Sequence, residues 1–289
     1  MKKILLPIDF SENTWSVCKY ATLLAKDEIT EIRLFHSYFD QVIVTDSSFP
    51  TGVDTDTMIN EQLLRDIKER AKNDILELQK KLIDYLKEIG KKDIKVVYSV
   101  EGGEAEYEIL DACEEYKPDI IVMGTSGNGD KGFLEGSVSK RIMNNTNIPV
   151  FAIPNLKTFP HIGNVLYTSD INSDDIKTLE STLALLKPFN IKIFYLHILI
   201  GSRMSEAEKE LKPIKEHFKE LEREGVLDFY IKEKTDIQDD IEEFIQKNDI
   251  SLITFIPHKR NIFKRIFTHS VTKKDLLETN IPLLSIRHS

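Results

Sequence analysis

The stretch ILLPIDFS, residues 4–11, is a short apolar run closed by an aspartate, and the chain carries it twice. Its second version is VLYTSDIN, residues 165–172. A second pair follows at the same separation, because LFH at 34–36 returns as YLH at 195–197. Self-similarity over whole supersecondary units indicates a duplicated fold. The sequence therefore predicts two copies of one domain.

The two copies also end alike, with NIPVFAI at 147–153 matched by NIPLLSI at 280–286. The offset between matching segments falls from 161 residues at the start to 133 at the end, so the second copy lacks 28 residues after His197. A short polar linker bracketed by two prolines separates the copies. We predict a first copy at residues 1–156 and a second copy at residues 161–289.

Apolar runs alternate with amphipathic segments of helical spacing in both copies, which is typical of α/β proteins. The runs are apolar throughout, as expected for strands of a parallel sheet buried on both faces. The sequence thus predicts two tandem, doubly wound, Rossmann-like domains, each with a five-stranded parallel sheet of order 3-2-1-4-5. The predicted strands are 4–8, 32–38, 95–100, 120–123 and 149–153, then 164–168, 192–197, 229–232, 251–256 and 282–286.

Composition narrows the class of protein. The chain has 289 residues, 41% hydrophobic and 30% charged, which is typical of a soluble globular protein. Its net charge of −9 would repel a phosphate backbone, so nucleic acid is not an expected partner. Cys18 and Cys113 are too few for a disulfide framework or a cysteine-only zinc site, and we expect buried thiols. With neither a signal peptide nor a membrane-spanning stretch expected, we place the protein in the cytoplasm.

Candidate binding residues follow two strands of the first copy. Asp9 closes the first strand, and GTSG at 124–127 closes the fourth, before GS at 136–137 precedes a helix. In open α/β sheets ligands bind beyond the carboxyl ends of the strands, where the strand order reverses. Glycines let backbone N–H groups approach a phosphate, and a helix N-terminus favours an anion. This arrangement predicts a phosphate-containing ligand.

These motifs resemble the universal stress protein family. The Asp-closed first strand, the Gly-x-x-Gly after the fourth, the Gly-Ser before the last helix and the Ile-Pro-Val strand all match in the first copy. The resemblance covers essentially the whole chain, in two copies. The resemblance implies ATP or AMP as ligand, with or without Mg²⁺. It places Pro7, Ile8, Asp9 and Ser37 around the base. It places Met123, Gly124, Gly127, Gly136, Ser137 and Val138 around the ribose and phosphates.

The sequence departs from the family pattern in two places. Eight residues separate Gly127 from Gly136, one fewer than the family has, which puts triphosphate binding in doubt more than adenine binding. In the second copy, larger residues replace the glycines, with Ile256 and His269 among them. We therefore predict no nucleotide site there. The second copy is expected to pack against the first as an intramolecular pseudo-dimer partner, and a homodimer of whole chains stays open.

Other interpretations of these residues remain open. Asp9 can instead cap the first helix or its loop, for which Ser11 is a further candidate cap, and Asp170 persists in the second copy. The glycine segment can be a tight connection, and His36 and His197 suggest a shared structural role. The basic cluster at 258–269 is interpreted as solvated surface.

Three functions are weighed from these residues. The first is a stress-response protein that binds an adenine nucleotide as a regulatory ligand, and the second is an interaction module without nucleotide. The third is weak ATPase activity, although the sequence holds no nucleophile elbow, HExxH or P-loop. We therefore expect a protein that is not an enzyme.

Overall fold

The computed structural model describes residues 2–25, 29–39, 53–125, 138–156, 161–172, 174–199, 203–233, 237–257 and 281–287. The chain forms two compact units, Met1–Val122 and Met123–Ser289. These units do not coincide with the sequence copies, because the last strand of the first copy pairs with the last strand of the second. The boundary at residues 157–160 therefore stays a prediction.

The first unit is a parallel sheet with its first strand in the interior. Strand β1 pairs in parallel with β2 through Leu6 and Leu34, and with β4 through Leu5 and Ile121. Strand β3 pairs in parallel with the other side of β2. The elements are β1 (Lys2–Pro7), α1 (Thr14–Leu24), β2 (Ile29–Tyr38), α2 (Val53–Glu88), β3 (Lys95–Gly102), α3 (Ala105–Tyr116) and the start of β4 (Ile120–Gly124).

The second unit begins within β4 and holds the remaining strands in the order β5-β10-β9-β6-β7-β8. The pairs β10–β9, β9–β6, β6–β7 and β7–β8 are parallel, whereas β5 and β10 are antiparallel. The backbone N–H of Thr125 donates to Ile153 O at 3.0 Å, which places the end of β4 beside β5. The elements are α4 (Val138–Asn145), β5 (Val150–Ile153), β6 (Asn164–Ser169), α5 (Asp175–Leu186), β7 (Lys192–Leu199), α6 (Met204–His217), α7 (Lys219–Arg223), β8 (Leu227–Glu233), α8 (Ile237–Lys247), β9 (Ile250–Phe255) and β10 (Leu283–Ser285).

The predicted fold class is confirmed. The strand order is β3-β2-β1-β4-β5 in the first copy and β8-β7-β6-β9-β10 in the second, which is the order 3-2-1-4-5 twice. Backbone geometry repeats as well. Phe10 and Ile171 hold matching positions after the first strand of each copy, with φ of 54° and 49°. Non-glycine residues seldom adopt this left-handed conformation, so its recurrence shows that both copies build the same turn.

Burial of the central strands explains why their sequences are apolar throughout. Ile4, Leu5 and Leu6 of β1 are fully buried, although successive side chains of a strand point to opposite faces. A strand buried on both faces requires cover on each side of the sheet, which the α/β alternation supplies. Both cysteines are buried and free, as expected.

Helix lengths account for 17 of the 28 residues that the second copy lacks. Helix α2 has 36 residues, whereas α6 and α7, which follow the corresponding strand β7, have 14 and 5. The prediction that Ser11 caps the first helix is wrong. Helix α1 begins at Thr14 with Asn13 at its N-cap, because residues 11–14 form a turn in which Ser11 O accepts the Thr14 N–H at 3.0 Å.

Over the described ranges, every helix is too short or too polar to span a membrane.

Candidate functional site

Asp9 follows β1 and is exposed. Its Oδ1 accepts the Ser11 backbone N–H at 3.0 Å and lies 3.4 Å from the Thr14 hydroxyl. The carboxylate therefore holds the turn into α1, as the capping interpretation of Asp9 expected. Because the side chain is exposed, a molecule in solvent can reach the carboxylate.

Ile8, the residue before Asp9, is bound to β2 through both its backbone N–H and its backbone C=O. The Ile8 N–H donates to Phe35 O at 2.7 Å, and His36 Nδ1 donates to Ile8 O at 2.7 Å. A carbonyl only accepts, so Nδ1 carries the proton in this contact. The Phe10 ring packs against the imidazole with centroids 4.7 Å apart.

The structure brings four of the predicted base-binding residues together in the first unit. Pro7 ends β1 opposite Phe35, and Ile8 and Asp9 follow it. Ser37 comes directly after His36 on β2 and pairs with Glu101 of β3. Pro7, Ile8, Asp9 and Ser37 thus lie at the carboxyl ends of adjacent parallel strands, where ligands of such sheets bind.

The other predicted residues belong to the second unit. Met123 and Gly124 are the last residues of β4, and Val138 is the first residue of α4. Gly127, Gly136 and Ser137 lie outside the described residues, as does the basic cluster at 258–269. Their assignment to phosphate binding or to solvated surface stays a prediction.

The same histidine contact recurs in the second copy. His197 Nδ1 donates to Ser169 O at 2.8 Å, and His197 and Ser169 correspond to His36 and Ile8. The expected shared structural role of the two histidines is confirmed. Each one ties the end of the first strand of its copy to the second strand.

The turn after β6 carries a buried polar cluster that the sequence interpretation missed. Asp175 is fully buried and accepts hydrogen bonds from the hydroxyls of Tyr167 and Tyr195, both at 2.9 Å. Ser169 Oγ also donates to it at 2.5 Å, and the Asn172 backbone N–H at 2.9 Å. We name Asp175, Tyr167, Tyr195 and Ser169 the Asp175 cluster.

A signal for this cluster was available in the alignment of the two copies. Tyr167 and Tyr195 occupy the places of Leu6 and Leu34, and Asp175 occupies the place of Thr14. Polar residues that together replace buried leucines indicate a hydrogen-bonded group in the core. Burial and the negative charge of Asp175 both raise the pKa of Tyr167 and Tyr195 above the ordinary value for tyrosine.

A groove of about 640 Å³ lies elsewhere in the second unit, between α6, α7 and β8. Leu211, Phe229 and Ile231 form part of its floor, and three lysines and three glutamates line it. These charges balance, so the lining has no net charge that would favour an anion or a cation. Within the described ranges, no three His, Cys, Asp or Glu side chains gather to bind a metal ion.

Comparison with known proteins gives a family match over the first copy. A model of the universal stress protein family matches residues 1–154. A universal stress protein of Methanocaldococcus jannaschii is 30% identical over 159 residues, which are 53% of this chain and 94% of that protein.

Comparison with solved structures extends the likeness to the second copy. A universal stress protein from Archaeoglobus fulgidus aligns with 99% of this chain and 96% of its own, with a TM-score of 0.65 and 18% identity. At that identity the likeness concerns the fold alone, which includes the tandem arrangement. A universal stress protein solved in complex with cAMP aligns with 54% of this chain at a TM-score of 0.38 and 17% identity.

Proposed function

Because this chain belongs to the universal stress protein family, we propose that its first copy binds an adenine nucleotide, ATP or AMP, as a regulatory ligand. The nucleotide acts as a conformational signal and is not consumed. Another member of the family has been solved with the nucleotide cAMP, which agrees with this class of ligand.

The placement of Asp9 carries the proposal. This carboxylate is exposed at the carboxyl end of β1, on a peptide held by two hydrogen bonds to β2. A fixed, exposed acceptor can receive the exocyclic amine of adenine, which is a hydrogen-bond donor. Strand β4, parallel to β1, leads into Gly124 and the glycine-rich sequence, which suits the phosphates.

The second copy is proposed to serve as a structural partner without nucleotide. The turn after β6 is closed by its own side chains, because Asp175 accepts the Asn172 N–H and Ser169 Oγ accepts the Ile171 N–H at 2.8 Å. Bulky residues also stand where the first copy has phosphate-loop glycines. This copy supplies its own acceptors and needs no ligand to complete the turn.

A thermal-shift titration with ATP, with AMP and with pyrophosphate tests the proposal, each with and without Mg²⁺. At a ligand concentration of about 100 Kd, stabilisation of the folded state is about 2.7 kcal/mol, which raises Tm by about 5 °C or more. Gly127→Val and Asp9→Ala should remove the shift. Asp170→Ala, the matched change in the second copy, should keep it.

Comparison of AMP with ATP shows which part of the nucleotide the site contacts. If AMP stabilises as well as ATP, the outer phosphates make no contact, as the loop shortened between Gly127 and Gly136 suggests. If no nucleotide shifts Tm at millimolar concentration, the proposal fails. The alternative is then an interaction module, which one observation favours, since Asp9 already accepts hydrogen bonds from its own turn.

A regulatory role also predicts that bound ATP remains intact. Incubation of the loaded protein should release no phosphate above the rate of free ATP in the same buffer. Turnover that Asp9→Ala and Gly127→Val both abolish would instead support an ATPase.

A further inference from the structure

We propose that His36 is a positioning residue for Asp9, which holds the carboxylate where a ligand can use it. That this placement serves a nucleotide rests on the proposed function. That His36 sets the geometry of the turn is a separate claim, which the ligand-free protein can decide.

A chain of contacts runs from β2 to Asp9. Both polar groups of the Ile8 backbone are bound by consecutive residues of β2, the N–H by Phe35 O and the C=O by His36 Nδ1, each at 2.7 Å. The main-chain bond lies one residue beyond the end of β1, and the imidazole adds a side-chain bond from β2 to the same residue. His36 thus fixes the peptide that leads into Asp9.

The residue after Asp9 has a conformation that few non-glycine residues adopt. Phe10 has φ of 54°, which turns the chain sharply immediately after Asp9. A phenylalanine rarely keeps this conformation unless surrounding contacts impose it. The imidazole supplies such a contact, because its ring packs against the Phe10 ring with centroids 4.7 Å apart. One side chain therefore holds the residues on either side of Asp9.

The second copy offers a matched control. His197 makes the corresponding bond to Ser169 O at 2.8 Å, and Ile171 repeats the left-handed turn with φ of 49°. There the turn has further support, because Ser169 Oγ accepts the Ile171 N–H and donates to Asp175. A histidine substitution in the second copy removes a similar bond in a turn that the proposal does not assign to ligand binding.

Two substitutions at His36 distinguish the effect of the hydrogen bond from the effect of the volume of the ring. His36→Leu removes the donor, whereas His36→Asn can place an amide N–H close to where Nδ1 stands. His197→Leu reports the general effect of losing such a bond. Circular dichroism and thermal melting establish that each variant is folded before it is compared.

Amide exchange measures the position of Asp9 without any ligand. The Ser11 N–H donates to Asp9 Oδ1, so its exchange rate reports whether the carboxylate stays in place. We expect His36→Leu to speed exchange at Ser11 by about tenfold, as loss of one part-buried hydrogen bond implies. His36→Asn and His197→Leu should leave this rate near that of the natural protein.

Ligand affinity measures whether the positioning serves binding. Trp15 is the single tryptophan and directly follows Thr14, whose hydroxyl contacts Asp9, so its fluorescence can report a titration with ATP or AMP. His36→Leu should raise Kd by about tenfold. His36→Asn should restore most of the affinity, and His197→Leu should change Kd by less than about twofold.

Two results would overturn the inference. Unchanged Ser11 exchange in His36→Leu would show that the imidazole does not hold Asp9. An equal loss of affinity in His197→Leu would show a general loss of stability instead of positioning. If the natural protein binds no nucleotide, the proposed function fails, and the exchange rate of Ser11 still decides the role of His36.

Discussion

Two aspartates near corresponding turns have opposite surroundings. Asp9 is exposed and accepts a hydrogen bond from Ser11, whereas Asp175 is fully buried and accepts from Tyr167 and Tyr195. A buried carboxylate is tolerated only where donors satisfy it, and removing it leaves those donors unpaired. We interpret Asp9 as an exposed acceptor that a ligand can reach and Asp175 as part of the core.

The first prediction concerns Asp175 and its counterpart Thr14. Asp175→Ala should lower the free energy of unfolding by about 3 kcal/mol or more, because several buried donors lose their acceptor together. Thr14→Ala breaks only a long contact of 3.4 Å to Asp9 and should cost about 1 kcal/mol or less. Urea denaturation of both variants measures the difference, and equal losses would contradict the assigned roles.

At the scale of single elements, the C-terminal end of α1 is bound by a lysine that is far from it in sequence. Lys91, in the connection between α2 and β3, donates through Nζ to Thr22 O and Ala25 O, both at 2.6 Å. Thr22 lies in the last turn of α1 and Ala25 is its C-cap residue, and a cation is favourable at this end of a helix. The lysine thus ties the end of α2 to the helix that begins beside Asp9.

The second prediction follows from this tie. Lys91→Met should destabilise the protein by about 1.5 to 3 kcal/mol, because two charge-assisted hydrogen bonds to helix carbonyls are lost while the aliphatic part remains. Lys92→Met, at an exposed neighbouring position, is the control and should change stability by less than about 0.5 kcal/mol. Chemical denaturation compares them, and a neutral Lys91→Met would show that the two bonds add nothing.

At the scale of the whole molecule, the last strands of the two copies pair with each other. Leu283, Leu284 and Ser285 of β10 pair antiparallel with Ala152, Phe151 and Val150 of β5. All of these residues are buried. Since each strand covers the outer edge of the other, these edges are closed to pairing with a second chain.

The third prediction tests that closure. A fragment of residues 1–156 lacks β10 and exposes the apolar edge of β5, so it should dimerise or aggregate through it. Size-exclusion chromatography with light scattering measures this association. The full chain, in which β10 already occupies the edge, is the control. A fragment that stays monomeric at high concentration would contradict the assigned role of β10.

The fourth prediction concerns alkaline pH. Burial raises the pKa of Tyr20, Tyr167 and Tyr195, so they keep their protons in the folded state while the unfolded chain loses them above about pH 10. Their contribution to stability is complete below that pH and falls above it, by about 1.4 kcal/mol per pH unit for each group. Denaturation between pH 9 and 12 checks this, and a flat profile would contradict it. Tyr167→Phe should show a shallower fall.

Much of the fold could be predicted because its signals are local. Strands such as β1 and β6 are apolar runs of fixed length, and their recurrence reveals the duplication without any contact being known. The site could be predicted in part. Asp9 and Ser37 lie at adjacent strand ends because the order of parallel strands dictates it. The helix start at Thr14 escaped prediction because the turn, and not a side-chain cap, sets where α1 begins.

The sequence by itself determined the duplicated α/β fold, the strand order and the family, since hydrophobic periodicity and motif spacing carry them. Only the tertiary structure decided that β10 closes β5, that Asp175 is buried among tyrosines, and that His36 and His197 bind the backbone 28 residues before them. These depend on contacts between distant residues. The physical reason is that a polar side chain has no fixed role until the fold determines whether water or another residue satisfies its hydrogen bonds.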